Sequence, residues 1–561
     1  MTVATPGSVL RGTPVVPGVA YAPVVRVCSQ VSARAVAAFE AAGFPDEQAA
    51  MAAYDEAVVG VVAGLTRRAQ AVHGDAAEVL AVTAALTRDP GLRSAVAEHV
   101  RAGRSLLGAL HAAVERFTTV FAQMGGVTAD RVSDLTDIER RLTALLVGEP
   151  EPGVALPDQP AVLVAEDLAP ADAAALDGTR VVALVTERGG PTSHTAIIAR
   201  QLGIPSVVGV AGAATLAEGS QVLVDGGTGE VTVGPHPGYA ARRLAAAGEA
   251  RAALRRWTGP ARTADGTRVL LLANVADGPS ARAAAAEPVD GVGLFRTELC
   301  FLDRADEPSV EEQTTLYATV LSAFAPHRPV VVRTLDAGAD KPLAFTDTGW
   351  GVNPALGVRG LRLSQGNPGL MERQLTAVAR AAQLTGASPW VMAPMVATVA
   401  EAAGFAERVR RHGLTPGVLV EVPSSALQAE RLLEVVDFLS VGTNDLTQYT
   451  MAADRTASDL AHLTDAWQPA VLRLVAMTAA AGAKAGKPVG VCGEAAADPL
   501  LACALVGMGA TSLSMAPSAV RAVGACLGEV SDADCRRAAE AALAADDPMA
   551  ARDAVRRVLG V

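Results

Sequence analysis

The chain has 561 residues, 50% of them hydrophobic and only 3% aromatic, with 47 Lys and Arg against 59 Asp and Glu for a formal net charge of −12. That length accommodates roughly three or four domains with sizeable cores, and the acidic balance excludes a general nucleic-acid binder, which needs a basic face. The six cysteines, Cys28, Cys300, Cys492, Cys503, Cys526 and Cys535, form no CxxC pair and no metal-ligand spacing with histidine, the pattern of buried thiols in a reducing compartment.

At the N-terminus, residues 1–7 carry neither the charged nor the apolar region of a signal peptide. No stretch of about eighteen apolar residues is free of charges or turn formers, so the expectation is a cytoplasmic protein without membrane insertion. Residues 13–27 alternate and bend at Pro17-Gly18 like a strand pair. From 33 to 147 the strand signal almost vanishes, and long helical patterns take over at 49–72 and 92–121. A further amphipathic helix at 134–146 sets Leu135, Ile138, Leu142 and Leu145 against Glu139, Arg140 and Arg141. A proline-rich joint at 150–160 ends this region.

Strands and helices then alternate. Strands read at 161–165, 181–185, 206–210, 221–225 and 230–233, with a short helix at 170–176, and one connecting helix follows at 239–257. From residue 269 onward eight apolar strand segments recur, at 269–275, 291–295, 329–335, 390–395, 417–422, 438–441, 488–491 and 512–515. Eight strands separated by helical or loop segments predict a (β/α)₈ barrel, with an open doubly wound sheet as the alternative that periodicity leaves standing.

Two clusters carry chemistry. In the first, His194 follows a Gly-Gly-Pro-Thr-Ser turn and opens an apolar, helix-compatible run. A helix beginning there turns unpaired backbone N–H groups and the positive end of its dipole toward whatever the imidazole holds, which suits a phosphoryl group. The second cluster lies where barrel enzymes place their catalytic groups, at the C-terminal strand ends. Arg296, with Thr297 and Glu298, ends one strand; Arg333, with Thr334, Asp336 and Lys341, ends another. Glu421, the pair Asn444-Asp445 with Arg455 beyond it, and Cys492-Gly493-Glu494 end three more. Convergent arginines bind phosphate and carboxylate. Glu421 and Asp445 are hard oxygen ligands for Mg²⁺ beside a substrate phosphate, and a strand-end thiol can donate a proton. The substrate so described is small, phosphorylated and multiply anionic, with in-line transfer assisted by cation and arginines.

The segments GGPTSHTAIIAR (189–200), GVGLFRTELCFLDR (291–304), VRTLDAGADKPL (332–343), VEVPSSA (420–426), SVGTNDLTQYTMAADR (440–455) and GVCGE (490–494) together resemble enzyme I of the bacterial phosphoenolpyruvate:sugar phosphotransferase system. The resemblance runs from Pro17-Gly18 to the C-terminus. It implies a multidomain α/β chain: a phosphohistidine swivelling domain (1–32 and 148–235), an inserted helical bundle (33–147) that docks the phosphocarrier protein HPr, a linker helix (236–260), and a phosphoenolpyruvate-binding and dimerising (β/α)₈ barrel (261–561). It implies that His194 is phosphorylated on Nε2 and that Arg296, Arg333, Asn444, Arg455, Lys341 and Arg359 surround phosphoenolpyruvate. It implies further that Glu421 and Asp445 hold Mg²⁺, and that Cys492 protonates the enolate to pyruvate. Pro191, Val358 and residues 463–470 depart from the family pattern. A nucleotide-using relative such as a dikinase is disfavoured, because the helical stretch before the histidine unit lacks a Gly-rich strand–loop pattern for a triphosphate.

Overall fold

The computed structural model describes the chain apart from residues 1–4, 6, 27–31, 72–79, 81–82, 125–126, 150–158, 167, 169–171, 173–175, 177, 190–193, 303, 339–342, 347–352, 455–459, 461 and 561. For some further residues, His194 among them, only the backbone is described. The chain divides into two compact units, the boundary falling between Ala250 and Arg251.

The first unit is built on an eight-stranded sheet of order β1-β8-β7-β3-β4-β5-β6-β2. Its strands are β1 (Val9–Arg11), β2 (Thr13–Val16), β3 (Val19–Arg26), β4 (Ala161–Ala165), β5 (Val181–Thr186), β6 (Ser206–Val208), β7 (Gln221–Asp225) and β8 (Glu230–Val233). Pro17-Gly18 separates two strands as read from sequence, but these do not pair with each other: β2 lies antiparallel to β6, and β3 runs between β7 and β4. Alternation within a strand reports which face is apolar and leaves the neighbour open. The β4 strand is buried throughout, as expected of a parallel strand covered on both faces. Leu163 and Ala165 belong to the core shared with the helices, whereas Val162 and Val164 belong to the core against β7 and β8.

Between β3 and β4, sheet neighbours in parallel register, the chain makes a helical excursion: Ala33–Ala42, Glu47–Ala71, Pro90–Arg101, Leu106–Met124 and Val127–Leu146. The helical pattern at 92–121 is two helices. The first ends at Arg101 and Gly103 adopts φ 86°, which a continuous helix cannot hold. Asp89 caps the first of these, accepting from the amides of Gly91 and Leu92 ahead of Pro90 at its first turn. Among the described residues one segment, Glu47–Ala69, is long and apolar enough to span a membrane by composition. Its Tyr54, Val61 and Leu65 are buried in the bundle core. Arg140 and Arg141 close a ring with Asp137 and with Asp172, which lies between β4 and β5. Arg141 reaches Asp137 and Asp172 at 2.6 Å each, and Arg140 reaches Asp172 at 2.6 Å. All four side chains are buried or nearly so, so the pairs compensate one another's desolvation.

In the second unit, β9 (Leu270–Val275), β10 (Gly291–Phe295), β11 (Val330–Arg333), β12 (Trp390–Ala393), β13 (Thr415–Val420), β14 (Phe438–Val441), β15 (Val489–Cys492) and β16 (Ser512–Met515) form a closed barrel in which every neighbour is parallel. The open-sheet alternative is thereby removed. Leu294, Val331, Met392, Leu419 and Phe438 fill the interior, and Cys492 belongs to the same cluster. Helices cover the outside mainly through one large apolar core in which Trp467 is fully buried, its indole N–H donating to Asp498 at 2.9 Å.

Candidate active site

The C-terminal strand ends gather a buried polar network. Arg333, the last residue of β11, donates to Glu298 at 2.6 Å and pairs with Asp336 at 3.0 Å. Asp336 also receives a two-pronged bond from Arg359, at 2.9 and 3.0 Å. Arg359 extends the chain to Asp445, 3.1 Å away in the first turn of the helix Thr443–Met451. Loop placement makes this possible: Gly338 and Arg359 form an isolated antiparallel bridge, and a Cβ on Gly338 would lie 2.6 Å from the Val358 carbonyl oxygen. Of the residues named for this pocket, Arg359 is thus fully buried, whereas Arg296 at the end of β10 is exposed.

Glu421 follows β13 and is 1% exposed. Its Oε1 accepts from the Met395 amide at 2.6 Å, and Met395 holds φ 59°, an unusual conformation for a side-chain-bearing residue. Burial first, then the negative charges of Asp336 and Asp445, push the Glu421 carboxyl up to about 8, against the opposing pull of Arg333 and Arg359. Glu298, Asp336, Glu421 and Asp445 are all buried and face two buried guanidiniums, Arg333 and Arg359. Among the described residues that leaves an excess of buried negative charge, which with hard oxygen donors at Glu421 and Asp445 fits a divalent cation.

Cys492 ends β15 beside this network. Its sulfur accepts from the Ser440 hydroxyl at 3.1 Å. Burial pushes the thiol up to about 11 and Glu421 adds to the rise, while the Ser440 bond, Arg333 and Arg296 act the other way. The group therefore keeps its proton at neutral pH. Asn444 accepts from the Glu494 amide at 3.1 Å, tying the start of its helix to the turn after Cys492. Gly493 is required there, since a Cβ would collide with the Thr443 hydroxyl. Behind the pocket Gln374 donates to Thr297 and Tyr317, at 3.1 Å each, and accepts from the Leu335 amide at 3.0 Å.

His194 is the first residue of the helix His194–Leu202. The next residue, Thr195, is buried and its hydroxyl donates to the Leu168 carbonyl at 3.3 Å, fixing where that helix begins. Lys341 and Arg455 lie outside the described residues, as does most of the short helix read at 170–176. Sequence reasoning missed the Met395 amide, Ser440, Gln374 and Tyr449, whose hydroxyl accepts from Arg359 at 3.4 Å. Ser440 and Tyr449 sit inside the motif 440–455 and could have been found there; Met395 and Gln374 leave no sequence signal.

Three family models match. The phosphoenolpyruvate-binding domain of phosphoenolpyruvate-utilising enzymes covers residues 251–531, their mobile domain 157–229 and their N-terminal domain 11–131. Barrel, histidine unit and helical region thus define a phosphoenolpyruvate-utilising enzyme. A phosphoenolpyruvate-protein phosphotransferase of Streptomyces coelicolor is 50% identical over 510 residues, 90% of this chain and 91% of that protein. One from Haloferax volcanii is 40% identical over 86% of each chain. A multiphosphoryl transfer protein of Xanthomonas campestris is 39% identical over 80% of this chain and 55% of its own length. The chain belongs to the phosphoenolpyruvate–protein phosphotransferase (enzyme I) family, and it is a transferase that works from phosphoenolpyruvate in the phosphotransferase system.

Proposed function

We propose that the protein moves the phosphoryl group of phosphoenolpyruvate to Nε2 of its own His194, releases pyruvate, and passes the group to a histidine of HPr. The observation that carries this reading is the buried guanidinium–carboxylate network with a protonated thiol beside it. Arg296, Arg333 and Arg455 bind the phosphate, Asn444 its junction with the carboxylate, and Lys341 and Arg359 complete the basic lining. Glu421 and Asp445 would hold Mg²⁺, which when bound neutralises charge on the phosphate.

In the transfer, the P–O bond to the enol oxygen breaks as the P–N bond to His194 forms. The electron pair left on the enolate is quenched at carbon by the Cys492 proton, and the thiolate recovers its proton from water. A thiol held up to about 11 is a weak enough acid to remain loaded until the enolate, a strong base, is formed. The helical region 33–147 docks HPr, residues 1–32 and 148–235 carry the histidine, 236–260 links them onward, and 261–561 binds substrate and dimerises.

The test mixes the protein with phosphoenolpyruvate labelled in its phosphate, Mg²⁺ and purified HPr. Label is expected first on this chain and then on HPr, with one pyruvate per group moved. Pyruvate release without label on His194, or label that never leaves for HPr, overturns the reading.

A further inference from the structure

Three of the described cysteines meet in the second unit, away from Cys492. Cys503 lies in the helix Pro499–Gly507, Cys526 in Val520–Glu529 and Cys535 in Asp532–Leu543. Small residues bring these helices close. Gly507 stands one turn after Cys503 on the same helix face, and a Cβ there would collide with the Cys535 carbonyl. Gly524 likewise admits the Trp257 ring against its own helix. The result is a Cys503–Cys526 sulfur separation of 3.6 Å, between residues 23 positions apart. Among the described residues no group of three or more His, Cys, Asp or Glu side chains is disposed to hold a metal ion, so the proximity points to thiol chemistry.

The three sulfurs are unequal. Cys503 and Cys535 are fully buried, whereas Cys526 is partly open to solvent. Cys503 donates to the Pro499 carbonyl at 3.3 Å, and hydrogen bonds to Cys526 and Cys535 hold its thiol far above the ordinary range. The contact with Cys503 shifts Cys526 the other way, below the ordinary thiol value, against burial and the nearby Glu529 and Asp498. Cys535 is shifted down by Cys503 as well but is fully buried, so Cys526 is the accessible one of the two lowered thiols, and the buried Cys503 is in contact with it.

We infer that Cys526 is a hydroperoxide-reactive thiol and that Cys503 resolves it to a reversible disulfide. The Cys526 thiolate attacks one oxygen of hydrogen peroxide; the O–O bond breaks, the departing hydroxide takes a proton and leaves as water, and Cys526 becomes a sulfenic acid. Cys503 then gives up its proton and attacks that sulfur. The S–O bond breaks, a second water leaves, and the S–S bond forms. Two thiols lose two electrons in all, and the peroxide gains them. An external dithiol reverses the step. The bond ties the helix that follows the Cys492 turn to the helix packed on Trp257.

The experiment exposes the reduced full-length protein to a few equivalents of hydrogen peroxide, alkylates the remaining thiols, and maps the peptides by mass spectrometry without reduction. A Cys503–Cys526 linked peptide is expected, with loss of two titratable thiols per chain, both reversed by dithiothreitol. In Cys503→Ser the sulfenic acid on Cys526 persists and is trapped by dimedone; in Cys526→Ser neither the linked peptide nor the adduct forms. Both variants are first checked for undiminished labelling by phosphoenolpyruvate, which shows that they fold. Full retention of thiols in the wild type, prior oxidation of Cys300 or Cys492, or a Cys503–Cys535 bond that leaves Cys526 free overturns the inference.

Discussion

At the barrel rim the proposed chemistry would rest on charged side chains already linked to one another, with buried carboxylates outnumbering buried guanidiniums among the described residues. Arg333, Asp336, Arg359 and Asp445 are linked in series before any ligand arrives, and Glu421 is held by a backbone amide. Around His194 the described groups are of another kind: the start of a helix, and a Thr195 hydroxyl that anchors it to the Leu168 carbonyl. In the proposed reaction the first region would meet a small, highly charged molecule with fixed charges, which need no reorganisation when charge moves. The other would present the proposed nucleophile at a helix start, on backbone N–H groups and the helix dipole.

The largest effect is expected from removing His194. His194→Ala is expected to abolish labelling by phosphoenolpyruvate while substrate binding to the barrel, measured calorimetrically, persists. Chelation of divalent ions with EDTA is expected to stop labelling of the wild type, and added Mg²⁺ to restore it; unaltered labelling would remove the cation from Glu421 and Asp445. Arg333→Lys keeps the charge but loses the fork that spans Glu298 and Asp336, and should slow labelling about 10²–10³-fold. Cys492→Ser should slow pyruvate formation about 10²-fold with His194 intact, read as pyruvate release by a coupled assay. The smallest effect tests the buried ring of the first unit. Asp172→Asn leaves the two guanidiniums of Arg140 and Arg141 sharing the single charge of Asp137, and should lower the stability of that unit by about 3 kcal/mol with the barrel transition unmoved in calorimetry.

Strand content and the barrel were legible because apolar runs of barrel length recur with polar residues at their ends, and β10, β14 and β16 have the bounds read from sequence. Ends bounded by proline were not. The β13 strand begins at Thr415 because Pro416 lies inside it, although proline reads as a breaker, and β12 stops before Pro394 and the left-handed Met395. The short strand β1 gave no periodic signal. The charged strand-end residues were visible for their type, but not the pairing of Arg359 with Asp336 across a loop, which depends on the close approach that Gly338 allows. Which groups are hidden from water, and hence the high proton affinity of Glu421 and Cys492, follows only from packing.

The helical excursion enters and leaves the sheet at neighbouring parallel strands, after Arg26 and before Ala161. For a sheet closed in this way, the entropy of joining β3 to β4 grows only logarithmically with what is threaded between them, about 0.6 kcal/mol for each doubling of loop length. The sheet of the first unit thus tolerates exchange of this helical insert for a longer, shorter or differently shaped one while the strands beneath it stay put.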